Sequence, residues 1–176
     1  MPGKGSSWEE EVFLELRKMI RKVEIGNYQY SHYLQKNYGI TRQQISVLKF
    51  INANSGISLS KLALGIGSHI TTVEGIVNRL HKKSLIRKSR NKTDKRIVEV
   101  GITGKGKKII EDAPLGPMAH LLMNLKKTPR KNIELMHKGI ATFVELCGAS
   151  TIKVEPEEEI VQTTIHSLHE IDKEKL

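Results

Sequence analysis

Apolar residues in the first part of the chain recur at three or four residue intervals: Val12, Leu16, Met19 and Val23, then Tyr30 and Leu34. That spacing puts them on one side of a long helix. Ser7 precedes the row and Glu10 follows three residues later, a pairing in which hydroxyl and carboxylate each satisfy an orphan amide at a helix start. Gly39 ends the row. Thr41 then caps a second helix that carries Ile45, Leu48, Phe50 and Ile51 and closes in the polar cluster Asn52, Asn54, Ser55 and Gly56. Ser58 or Ser60 opens a short helix over residues 61–64, residues 65–67 supply a glycine turn, and Ser68 caps the next helix. On that helix Ile70, Val73, Val77 and Leu80 share one face, while Thr71, Thr72, Gly75, Asn78 and Arg79 occupy the other.

The period then changes. Residues 86–90 and 96–102 read as two strands, with Val98, Val100 and Ile102 alternating against Ile97, Glu99 and Gly101, and residues 91–95 form the tip between them. Thr103 caps a further helix through Ile109 and Ile110, which Pro114 and Pro117 interrupt before it resumes over residues 118–126. Thr128 as N-cap with Pro129 at the first helical position starts another helix, striped by Ile133, Met136, Ile140, Phe143 and Cys147 and stopped by Gly148. Pro156 followed by three glutamates starts a last helix with an apolar edge of Val161, Ile165 and Leu168. The fold class is mainly α with a small β-hairpin wing. Residues 8–38 form an N-terminal dimerisation helix, 41–103 a winged helix-turn-helix, 104–148 C-terminal dimerisation helices and 150–176 an additional acidic helix.

Charge gives this pattern a direction. The 176-residue chain has a formal net charge of +10, and its cations are not spread evenly. Residues 79–96 carry nine Lys or Arg against the single acid Asp94, whereas residues 155–176 carry seven acids against Lys173 and Lys175. A cationic hairpin beside a polar helix face suits an anionic duplex. The lone Cys147 excludes an internal disulfide and a thiolate cluster for zinc. No stretch has the apolar length of a membrane span, and the first residues lack the apolar core of a secretory signal, so a cytoplasmic location is expected.

Two motifs in register carry a family resemblance. Asp94, Lys95 and Arg96, followed by Ile102, Thr103 and Gly106, resemble the D-x-R-x5-L-T-x-x-G signature of the MarR family of bacterial transcriptional regulators, with Ile in place of Leu. The run from Val77 to Ile86 resembles that family's V-D-x-L-x-x-K-G-L-[VI] segment, with Ser84 where the family often has glycine. The resemblance implies dimers whose terminal helices interlock beneath paired winged helices. It also implies a pseudopalindromic operator, repression more often than activation, and release by a small ligand. Glu74 and Gly75 replace the Thr-Arg pair common in relatives, so base preference does not carry over.

Within that frame Ser68 and His69 are expected to meet phosphate, and Thr71, Thr72 and Asn78 to meet base edges, with Asn78 pairing to adenine. Gly75 permits close backbone approach, and Glu74 either accepts from a cytosine amino group or is a solvated charge. Arg96 is expected at the minor groove with Asp94 orienting its guanidinium, while Arg79, Arg87, Lys88, Arg90, Lys92 and Lys95 add contacts to the duplex. Tyr28, Tyr30, Tyr33 and Tyr38 line a pocket for a small phenolic or aromatic anion, or else pack between helices with wet hydroxyls. Cys147 is expected as a buried apolar residue rather than a redox sensor, and His166 with His169 as surface residues rather than metal ligands. No cofactor is expected. Two rivals remain. One is a winged helix that docks proteins without specific DNA binding; the other is an enzyme, against which stand the absence of a G-x-G-x-x-G after a strand, of a phosphate loop and of a nucleophile beside a base.

Overall fold

The computed structural model describes residues 7–152; the proline-glutamate helix start, the acidic segment and His166 and His169 lie outside them. The chain divides into two compact units, the first ending at Arg42 and the second beginning at Gln43.

In the first unit, helix α1 spans Trp8–Tyr38. The Ser7 hydroxyl accepts from the Glu10 amide and the Glu10 carboxylate accepts from the Ser7 amide, at 3.3 and 3.0 Å, completing the expected capping box. Gly39 closes the helix at φ 64°, where its amide donates to the Gln35 carbonyl. Leu34 is the one buried residue of α1, and Phe13, Leu14, Met19, Ile20 and Val23 are exposed.

The second unit is a helical layer on a small sheet. Helix α2 is Arg42–Ala53, strand β1 Ile57–Ser58, helix α3 Leu59–Gly65 and helix α4 Ile70–Lys82. Strands β2 (Ile86–Arg90) and β3 (Val98–Ile102) follow, then helices α5 (Gly104–Asp112), α6 (Pro117–Leu125) and α7 (Arg130–Leu146). The core is drawn from Ile45, Leu48 and Ile51 of α2, Leu62 of α3, Val73, Ile76, Val77 and Leu80 of α4, and Ile86 and Val100 of the sheet, all at most 3% exposed. Each such side chain contributes about 1.5 to 3 kcal/mol by leaving water.

Several boundaries differ from the sequence reading. Ser58 is the N-cap of α3, its hydroxyl accepting from the Lys61 amide, but His69 and not Ser68 is the N-cap of α4. The intervening turn uses Gly67 at φ 57°, and this places Ser68 one residue too early to cap. Ile70 is 48% exposed because the inner face of α4 is centred on Val73, Ile76, Val77 and Leu80, leaving Ile70 at its margin. The sheet has three strands in the order β1-β3-β2, all antiparallel, with Ile57 opposite Val100. A two-residue strand shows no alternation to read. Thr128 donates its hydroxyl to the Asn124 carbonyl, tying off α6, and Pro129 takes the N-cap of α7.

The most crowded junction joins α4, β2 and α5. The Leu85 carbonyl accepts from the Thr103 amide at 3.1 Å and lies 3.0 Å from the Thr103 hydroxyl, which also reaches the Ser84 carbonyl at 2.8 Å. The same hydroxyl caps α5 by accepting from the Gly106 amide. A Cβ on Gly106 would stand 2.2 Å from the Leu85 oxygen and 2.8 Å from Ile102 Cγ1, so no side chain fits there. Ser84, where the family often has glycine, adopts φ 59°, a left-handed conformation that costs a residue with a side chain about 1 kcal/mol. Replacing Gly106 by Ala is expected to destabilise the second unit by at least about 2 kcal/mol through overpacking against fixed backbone, measured as a lower urea midpoint; an unchanged midpoint would show that the junction can open freely.

Candidate nucleic-acid interface

The outward side of α4 is built by its register. Because the inner face is taken by Val73, Ile76, Val77 and Leu80, the residues Thr71, Thr72, Glu74, Asn78, Arg79 and Lys82 are left exposed. Lys82 was absent from the sequence reading of this face, although its spacing of four from Asn78 places it there. Gly75 is half-buried, and the Arg79 guanidinium lies beside it: a Cβ there would meet Arg79 Nη1 at 3.8 Å. Since His69 gives no side-chain cap, no side chain occupies the amides of the first turn of α4.

The wing begins with strand alternation. Arg87 pairs with Gly101 across the ladder, and its guanidinium covers that glycine, where an added Cβ would meet Arg87 Nε at 3.3 Å. Lys88 belongs to the other side, the one shared with buried Ile86 and Val100, and its ammonium reaches the Asn78 side-chain oxygen. The sequence reading grouped Lys88 with the wing's phosphate contacts; the two-residue period of a strand puts it on the side that meets α4.

The tip is held by two short polar side chains. Asn91 Oδ1 accepts from the amides of Thr93 and Asp94, both at 2.9 Å, and Asn91 Nδ2 donates to Glu99. The Ile97 amide donates to the Asp94 carbonyl at 3.0 Å, closing a turn with aspartate at its first position. This turn consumes Arg96 and Ile97, which is why β3 starts at Val98 and not at residue 96. Asp94 then grips the turn it begins. Its Oδ1 accepts from the Arg96 amide at 3.0 Å and from Arg96 Nε at 3.1 Å, and its Oδ2 accepts from Nη2 at 3.1 Å. The expected orienting role of Asp94 is therefore present as a two-pronged pair, with the Arg96 side chain 92% exposed. Arg90 Nη1 donates to the Lys95 carbonyl at 2.7 Å and braces the same loop, while Lys92 and Lys95 are exposed.

The four tyrosines do not all line one pocket. Tyr28 and Tyr33 line an open groove of about 500 Å³ along α1 with Gln29, His32, Lys36 and Asn37. Tyr28 stacks on His32 with centroids 6.3 Å apart. Tyr30 is half-buried outside that lining, because residues 28 and 30 are two apart and lie on different sides of a helix, and half-buried Tyr38 packs its ring against Tyr33 with centroids 6.2 Å apart. Burial raises the Tyr30 phenol above its ordinary pKa, and Arg42 opposes this by favouring the phenolate. Cys147 is exposed, a correction to its expected burial: it is the C-cap of α7, and α7 has no buried residue. Among the described residues no group of His, Cys, Asp or Glu is placed to hold a metal ion.

This geometry has close counterparts. Residues 29–113 match the family model described as transcriptional regulator SarA/Rot. That stretch runs from the later part of α1 through the wing to α5. The HTH-type transcriptional regulator YfiV of Bacillus subtilis is 26% identical over 104 residues, 59% of this chain and 62% of the relative, so the chain spans less than two thirds of that protein. Among solved structures, FabT of Streptococcus pneumoniae in complex with DNA is 19% identical with a TM-score of 0.55, covering 80% of this chain and 97% of its own. A MarR variant from E. coli complexed with operator DNA is 22% identical with a TM-score of 0.54 over 79% of this chain and 99% of its own. YusO of Bacillus subtilis gives 20% and 0.54 over 80% and 99%. These three likenesses concern the fold.

Hydrogen bonds from the Arg96 side chain and amide hold the Asp94 carboxyl below its ordinary pKa. A depressed carboxylate stabilises the folded turn above its unfolded pKa, about 3.9, and that contribution disappears as pH falls through the lowered folded value. The Asp94 carboxyl carbon, followed by NMR, is expected to titrate below the exposed carboxylates, with the Arg96 Nε–H signal broadening over the same range; a coincident titration would mean that the pair is not held in solution.

Proposed function

We propose that the protein is a sequence-specific regulator of transcription that binds double-stranded DNA as a homodimer. The observation that carries this reading is the joint display, on one winged helix, of an open polar helix face and a cationic tip whose Arg96 is fixed by Asp94. FabT in complex with DNA and the MarR variant complexed with operator DNA share this fold and support it. An exposed guanidinium held in one orientation suits a narrow, strongly negative groove.

In this reading α4 enters the major groove. Ser68, His69 and the free amides of the first turn meet phosphate, Thr71, Thr72 and Asn78 meet base edges, and Arg79 with Gly75 lies close to the backbone. Arg96 enters the minor groove, while Arg87, Arg90, Lys92 and Lys95 neutralise phosphates on either side. Ser68 and His69 precede α4, and the others occupy its exposed face or the wing.

The second copy follows from uncovered apolar surface. Alpha-helix α1 exposes Phe13, Leu14, Met19, Ile20 and Val23, and α7 exposes Leu135, Ile140, Phe143, Val144 and Leu146. Two such rows on one chain are more apolar surface than a monomer ordinarily leaves wet. Twofold symmetry then sets half-sites about 10 base pairs apart. Occlusion of a promoter by this dimer gives repression, and the α1 groove, with Lys36 beside Tyr28 and Tyr33, is the proposed seat of a small aromatic or phenolic anion that releases it. A cytoplasmic location goes with that work.

The test is a gel shift on genomic fragments around the protein's own gene. Replacing Arg96 by Ala is expected to weaken the shift roughly tenfold while sedimentation velocity still reports a dimer; unchanged affinity removes the wing assignment, and a monomer removes the symmetric operator. Should the dimer neutralise about eight phosphates, the log-log slope of affinity against salt is expected near −7. A slope near zero would favour a partner other than nucleic acid.

A further inference from the structure

Lys88 and Asn78 meet where the first strand of the wing passes the exposed side of α4. On β2 the exposed Arg87 separates buried Ile86 from half-buried Lys88, so the Lys88 stem runs along the sheet face that packs on α4. Its Nζ donates to Oδ1 of Asn78. The juxtaposition is fixed by backbone nearby: His81 Nδ1, one turn further along α4, donates to the Ile86 carbonyl at 3.1 Å, and Lys88 is two residues along the strand from Ile86.

The direction of that contact matters for recognition. Lysine carries donors only, so the amide oxygen of Asn78 must face it, and Asn78 Nδ2 with its two hydrogens is turned outward. An unconstrained asparagine recognises adenine by donating to N7 and accepting from the N6 amino group. At Asn78 an amino group approaching the oxygen would meet the Lys88 ammonium, a donor against a donor. Guanine presents two acceptors instead, O6 and N7. Asn78 Nδ2 and a remaining N–H of Lys88 match them side by side.

We propose that Asn78 and Lys88 act as one donor pair that selects guanine over adenine at a major-groove position of each half-site. The proposal rests on the DNA-binding reading and replaces the adenine contact expected of Asn78 from sequence. Lys88 acts here through Asn78 as well as on the base, and so helps set specificity from the wing side of the helix.

The test is selection from a pool of duplexes with a randomised core at low salt, using the unaltered protein, Lys88→Met and Asn78→Ala, each confirmed as folded by circular dichroism. Methionine keeps the apolar stem and removes the ammonium. The unaltered protein is expected to enrich guanine at one position per half-site. With Lys88→Met that position is expected to turn to adenine, affinity for the guanine duplex to fall roughly tenfold, and preferences elsewhere to stay. Asn78→Ala is expected to lose the preference at the same position only. Retention of guanine by Lys88→Met with uniformly weaker binding would make Lys88 a phosphate contact and overturn the donor pair alone, as would enrichment of adenine by the unaltered protein. If the unaltered protein enriches nothing, the DNA-binding reading falls and the donor pair with it.

Discussion

The carbonyl oxygen of Leu85 is the point on which the winged helix turns. It receives the Thr103 amide and lies within reach of the Thr103 hydroxyl, and it faces the bare Cα of Gly106. Three successive elements thereby share one atom: the exit from α4, the return of β3 and the start of α5. A backbone carbonyl cannot be re-aimed as a side chain can, so hydrogen bonding to this atom and close packing around it set where the wing leaves α4. The strained Ser84 sits one residue before this atom, and the bonds that converge there offset its cost.

Much of this was legible in the sequence because the relevant signals are local. Capping boxes and glycine stops act within four residues, and so Ser7 with Glu10, Gly39 and Thr103 read correctly as helix boundaries, and the choice between Ser58 and Ser60 was narrowed to two residues, of which Ser58 is the cap. The period of three and four placed three of the four core residues of α4. The fourth, Ile76, lost its place to Ile70 because a stripe that begins at the first apolar residue of a helix is drawn off centre from the face the core selects. Strand β1 escaped because two residues make no period. The cap at His69 escaped because the left-handed Gly67 sets where the turn ends, and no residue type marks that in advance.

The candidate site was legible in kind and less so in arrangement. A run of nine cations suits an anionic partner without saying which side of the strand each cation takes. Strand pairing decides that: Arg87 is laid over Gly101 while Lys88 is sent to Asn78. The tyrosines show the converse. Four of one type within eleven positions suggest a cluster, but helical rotation takes Tyr30 away from the groove of Tyr28 and Tyr33, and Tyr38 meets it only through the ring of Tyr33.

Asp94 is the one acid in the cationic stretch, and it performs two tasks with one carboxylate: it shapes the turn through the Arg96 amide and holds the Arg96 side chain. An amide at residue 94 keeps the first task and weakens the second, and a lysine at residue 96 keeps the charge and loses the fork that fits two oxygens. The two side chains therefore work as one device: without the carboxylate the guanidinium is free to swing, and without the guanidinium the carboxylate is left with the turn alone.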